Sequence, residues 1–112
     1  MKKTISILLA LSFIFITQTS FANPPKDMEI TVSAYNIDVA VIHPTRDPDR
    51  HYINKIEIFV SDNLVITQKF AFQKKNRQYL SRKLPALTAG DVVKVVAYCN
   101  LSGQMERTVP VQ

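Results

Sequence analysis

Val92-Val93-Lys94-Val95-Val96-Ala97-Tyr98-Cys99, closed by Asn100-Leu101-Ser102-Gly103, is the most apolar run of the chain behind its N-terminal segment. Eight residues dominated by valine, followed directly by turn chemistry, read as a β-strand, and one this apolar belongs at the centre of a sheet. Gln104 to Val111 then follows as the last strand, joined to it through the Asn100 to Gly103 turn.

The same grammar repeats upstream. Ile30, Val32 and Ala34 alternate with polar residues over Glu29 to Ala34, and Ile37, Val39 and Val41 continue the alternation after Tyr35-Asn36 into a strand ending at His43. Pro44, Asp47, Pro48 and Asp49 make the next segment a stiff polar loop, because proline removes the backbone donor that a strand needs. Tyr52 to Val60 reads as a strand with Ile56, Ile58 and Val60 on one face, closed by Ser61-Asp62-Asn63. Leu64 to Phe72 and Tyr79 to Leu84 are expected to pair around a Gln73 to Arg77 turn, and Gly90-Asp91 is the tight point before Val92. No stretch has a helical period. Seven short strands at near-regular spacing point to an all-β fold, an immunoglobulin-like antiparallel β-sandwich.

The N-terminus reads differently. Lys2 and Lys3 precede an apolar run from Ile5 to Ile16, a polar Thr17 to Ser20, and Ser20-Phe21-Ala22. That order is a secretory signal peptide over residues 1–22, with cleavage expected between Ala22 and Asn23. A membrane-spanning helix would need about 20 apolar residues. The expected working unit is one domain, residues 23–112, periplasmic or secreted, with no lipid attachment cysteine at the cleavage point and no stable membrane anchor once the leader is gone.

The whole chain carries a net charge of +5, and losing Lys2 and Lys3 leaves +3. Lys69, Lys74, Lys75, Arg77, Arg82 and Lys83 cluster on the expected hairpin. They read as a solvated face or as a surface for an acidic partner; no aromatic platform is interleaved as single-stranded nucleic acid would require. Only two glycines occur, so a phosphate-cradling loop has no residues to build it, and no Ser/His/Asp arrangement or acid–base pair suggests a hydrolase.

Two histidines and one cysteine remain as candidate chemistry. Cys99 cannot form an internal disulfide, which leaves an inert core residue, an intermolecular link or a metal ligand. His43 closes the second strand, His51 opens the third and Cys99 ends the sixth, so a sandwich can bring all three to one rim. Imidazole and thiolate are ligands for iron, copper or zinc, and three protein ligands leave open positions. Met105 is a conceivable weak fourth ligand, though a packed methionine is the plainer reading.

The residues His43-Pro44, His51-Tyr52-Ile53 and Ala97-Tyr98-Cys99-Asn100-Leu101 resemble, in order and separation, motifs of the desulfoferrodoxin and superoxide reductase family. The resemblance runs from about Glu29 to the C-terminus. It implies a ferrous ion held by four histidines and a thiolate, with His43 and His51 as two of the histidines and Cys99 as the thiolate. Ser102 stands where that family has a histidine, and Asn23 to Lys26 contains no counterpart of its first ligand or of the lysine and glutamate beside it. The loop between the two histidines is longer by two residues than the usual one. The resemblance therefore implies a superoxide reductase-like oxidoreductase site with an incomplete ligand set, served by an unknown electron donor or protein partner. Ala89-Gly90-Asp91-Val92, with the His-Pro loop and the His-Tyr-Ile strand, also resembles the small sandwich subunit of the periplasmic thiosulfate-oxidation carrier complex. That second resemblance implies a metal-free sandwich that binds a protein or sulfur-carrier partner.

Overall fold

The computed structural model describes residues 24–112; the expected leader and its cleavage point lie outside the described residues. Seven strands follow in chain order: β1 (Asp27–Val32), β2 (Asn36–Ile42), β3 (Ile53–Val60), β4 (Asn63–Lys69), β5 (Arg77–Lys83), β6 (Val92–Cys99) and β7 (Gln104–Pro110). They form a three-stranded sheet ordered β1-β2-β5 and a four-stranded sheet ordered β4-β3-β6-β7, all neighbours antiparallel. The all-β sandwich expected from the strand pattern is the fold observed, with β6 between β3 and β7 as its apolar composition demands.

Alternation in sequence becomes two facing layers. Ile37, Val39 and Val41 of β2 and Leu80 of β5 bury toward Ile56 and Ile58 of β3 and Val93, Val95 and Ala97 of β6. Charged residues hold the open edge: Arg107 of β7 donates to the Met28 carbonyl at 2.6 Å and pairs with Asp27 of β1 at 3.0 Å. Ser61 and Asp62 take positive φ in the tight β3–β4 hairpin, the conformation that matches the strands' right-handed twist.

One pairing differs from expectation. Leu64 to Phe72 and Tyr79 to Leu84 do not form a hairpin: β4 pairs with β3 in one sheet and β5 with β2 in the other, so residues 70–76 cross between layers. Strand β3 already offers β4 a partner through a two-residue turn, and a local hairpin wins over a longer one. The basic cluster is divided accordingly. Lys69 lies on one sheet and Arg77, Arg82 and Lys83 on the other, Arg77 pairs with Glu29 at 3.2 Å, and Arg82 bonds Gln68 at 2.9 Å.

A bulge sets up the far end of β3. Ile53 faces Cys99 while Lys55 faces Tyr98, so one residue is inserted between them. The insertion changes the phase of the strand, and Ile53 turns inward together with Ile56 and Ile58 although the spacing from 53 to 56 is odd. The chain just before Ile53 is thereby aimed at the interior of the sandwich's end.

Candidate metal centre

His43 follows β2 directly and extends its ladder, its N–H donating to the Asn76 carbonyl at 2.8 Å. The side chain is fully buried. The loop leaving it is compact: Asp47 N–H donates to the Thr45 hydroxyl at 3.2 Å, and the Asp47 carbonyl accepts N–H groups from Arg50 at 3.0 Å and His51 at 2.7 Å. This single turn, with Pro48 at its start, swings His51 back beneath the loop.

Asn100 then stitches the loop to the end of β6. Its side-chain oxygen accepts Tyr52 N–H at 2.9 Å, its amide donates to the Arg50 carbonyl at 2.9 Å, and its own N–H donates to the Tyr52 carbonyl at 3.0 Å. Cys99, one residue earlier, points inward like Ala97. Its N–H bonds the Gly103 carbonyl at 3.0 Å, and its sulfur accepts Leu101 N–H at 3.4 Å.

The three side chains predicted from sequence converge. One ligand atom each from His43, His51 and Cys99 lies within 4.8 Å of the others. The two imidazoles meet edge to face, with centroids 4.7 Å apart and planes at 87°. Cys99 packs with the core yet keeps its sulfur beside the rings. Nε2 of His51 is buried and finds no hydrogen-bond partner among the described residues. A buried imidazole nitrogen beside a second imidazole and a thiol is a donor set for a first-row transition metal, and the residues present fit such an ion. Metal–ligand bonds of about 2.0 to 2.3 Å require the three donors to close in modestly.

Met105 packs, half-buried, against the core, in line with the packed-methionine reading. Tyr98 faces away from the site. Its hydroxyl donates to Glu57 at 2.7 Å, and that bond first, burial second, raises its pKa above the ordinary tyrosine value.

Sequence reasoning missed two glutamines. Gln73, in the segment crossing between the sheets, and Gln78, on β5, are both buried. Gln73 bonds His43 and Ile53, and Gln78 donates to the Ile53 carbonyl at 2.9 Å and the Phe72 carbonyl at 2.7 Å. Between them they engage both backbone polar groups of Ile53 at the bulge. The one available signal was Gln78 itself, a polar residue occupying an inward position two before Leu80.

The chain is therefore a two-sheet β-sandwich that carries a His, His, Cys cluster at one end of its layers. Two solved structures of superoxide reductase (neelaredoxin) from Ignicoccus hospitalis are similar to it. One shares 17% identity at a TM-score of 0.52, covering 79% of this chain and 82% of its own. The other shares 17% at a TM-score of 0.47, covering 76% and 79%. The chain thus has a superoxide reductase-like fold. No family model matches the sequence, and no curated protein does.

Proposed function

We propose that this protein binds one redox-type metal ion through His43, His51 and Cys99, and that it works outside the cytoplasm after removal of residues 1–22. The observation that carries the reading is the convergence of three ligand atoms within 4.8 Å, one of them the orphaned Nε2 of His51. Iron is the first candidate, because the fold is that of superoxide reductase; copper and zinc suit the same donors.

His43 and His51 would act as neutral nitrogen ligands and Cys99 as the thiolate, with the Leu101 N–H directed at its sulfur. A bound iron or copper would supply one-electron chemistry. The His43 to His51 loop, braced by Asn100, would serve as a lid over the ion. Electrons would come from a separate donor, since Cys99 is the one cysteine of this sequence and a four-cysteine iron module cannot be built from it.

The test is metal analysis of the purified protein beside Cys99→Ser. Stoichiometric metal in the wild type and its loss in the variant is the expected result. Equal content in both would remove this site and leave a partner-binding sandwich.

A further inference from the structure

Gln73 is an unusual residue for its place. It lies between exposed Phe72 and exposed Lys74 in a connecting segment, yet it is only 2% exposed, and every polar atom of its side chain is engaged. Its Nε2 donates to the His43 carbonyl at 2.6 Å and to the Lys75 carbonyl at 2.9 Å, while its Oε1 accepts the Ile53 N–H at 2.9 Å and lies 2.9 Å from Nδ1 of His43.

These partners determine which end of the amide is which. Two carbonyls can face only the NH2 group, and a backbone N–H can face only the oxygen; rotating the amide would turn all three bonds into repulsions. Oε1 therefore faces His43. A carbonyl oxygen has no proton to give, so Nδ1 of His43 must carry the hydrogen and donate it. In a neutral ring the lone pair then resides on Nε2.

We infer that Gln73 is the positioning residue of the site: it locks His43 as the Nδ1–H tautomer, presents Nε2 to the metal, and holds the two histidines at a set separation. The inference rests on the reading of His43 as a ligand. The second part follows from where Gln73 reaches. It bonds His43 at one end of the ligand loop and Ile53 just past the other end, and its own N–H donates to the Pro48 carbonyl at 3.1 Å in the middle. One side chain and its backbone thus touch the loop at start, centre and finish. Partners of this kind orient ligating imidazoles and raise their basicity.

The experiment uses the purified protein without metal and with zinc as a diamagnetic probe. Long-range proton–nitrogen NMR of the histidine rings reads the tautomer directly, and competition with a chromophoric chelator reads affinity. Wild type is expected to show protonated Nδ1 at His43. Gln73→Met, similar in shape but without donor or acceptor, should populate the Nε2–H form and weaken zinc binding by about 10- to 100-fold. Gln73→Glu keeps an acceptor for Nδ1 while losing both donors, so it should lose stability as the Met variant does yet keep Nδ1 protonated and bind zinc more tightly than that variant. An Nε2–H tautomer in the wild type, or unchanged tautomer and affinity in Gln73→Met, overturns the inference. So does equal loss of affinity in the two variants, because that is what a merely structural role would give. If the wild type binds no zinc, the metal-site reading fails, and the metal-free spectra still decide the tautomer.

Discussion

Replacing His51 by leucine separates what the histidine costs the fold from what it provides. Nε2 is buried without a partner among the described residues, and an unsatisfied buried polar atom costs about 1–3 kcal/mol. Leucine of similar volume has no such atom. It forfeits the edge-to-face contact with His43, which is worth about 0.5–1.5 kcal/mol. The metal-free variant should therefore be as stable as wild type or more so, by about 1 kcal/mol, equivalent to a rise in Tm of about 4–8 °C for a domain of this size. With metal the order should reverse: an ion at 100 times its Kd stabilises the wild type by about 2.7 kcal/mol and barely affects a protein lacking a ligand. Thermal unfolding of both proteins, once with chelator and once with zinc in excess, gives the four numbers. A leucine variant less stable than wild type by more than about 1 kcal/mol in chelator would show that His51 is a structural residue and that its nitrogen carries no unmet demand. Equal stabilisation of both by zinc would place the metal elsewhere.

Gly103→Ala should destabilise the protein by more than the roughly 1–2 kcal/mol of left-handed backbone strain. Its φ is +85°, and the added Cβ would sit 2.6 Å from Cβ and 3.2 Å from Cα of Pro24, while its carbonyl holds Cys99 N–H; urea unfolding and zinc affinity should both fall. Gly90→Ala is the matched control, with φ +95° and nothing within 4 Å of the new Cβ, so only the strain cost and unchanged zinc affinity are expected. Asp91 is held below its ordinary pKa of 3.8, first by the Thr88 N–H and then by the Ser61 hydroxyl. A depressed carboxyl stabilises the fold above its unfolded value and loses that contribution as pH falls through the folded one. Acid titration of unfolding should therefore show a loss below pH 3.8 in the wild type that Asp91→Asn flattens, and an undiminished slope in the variant would assign the loss to other carboxyls.

Much of the fold was legible because strand signals are local. Period-two alternation marks Ile37, Val39 and Val41 as one face without reference to any other segment, and the density of valine in β6 announces a strand with neighbours on both edges. The pairing of β4 and β5 was not legible in the same way. Two adjacent amphipathic strands with a polar connection look like a hairpin whether or not they join, and the choice depends on β3 having already captured β4 through a tighter turn. The site divides along the same line. His43, His51 and Cys99 stand out by residue type and by lying at strand ends, so their meeting at one rim of a sandwich could be anticipated. Gln73 could not be anticipated. Its burial follows from the crossing of residues 70–76 between the sheets, a non-local consequence of the pairing that sequence misassigned.

A cluster of only three donors needs support from outside its own loop. Three donors on one short loop and one strand end would be held loosely if the loop were anchored only by its own turn. Here the loop is clamped at two places: Asn100 ties Arg50 and Tyr52 to the end of β6, and Gln73 ties His43, Pro48 and Ile53 to the crossing segment. Each clamp is an amide side chain able to donate and accept at once, so it satisfies backbone groups that the bulge and the loop release from the ladders. The buried Nε2 of His51, which finds no partner among the described residues, belongs to the loop that these two clamps hold. A loop held at both ends in this way keeps His51 beside His43 and Cys99, so only the modest closing of donors that an ion would require is left to the side chains.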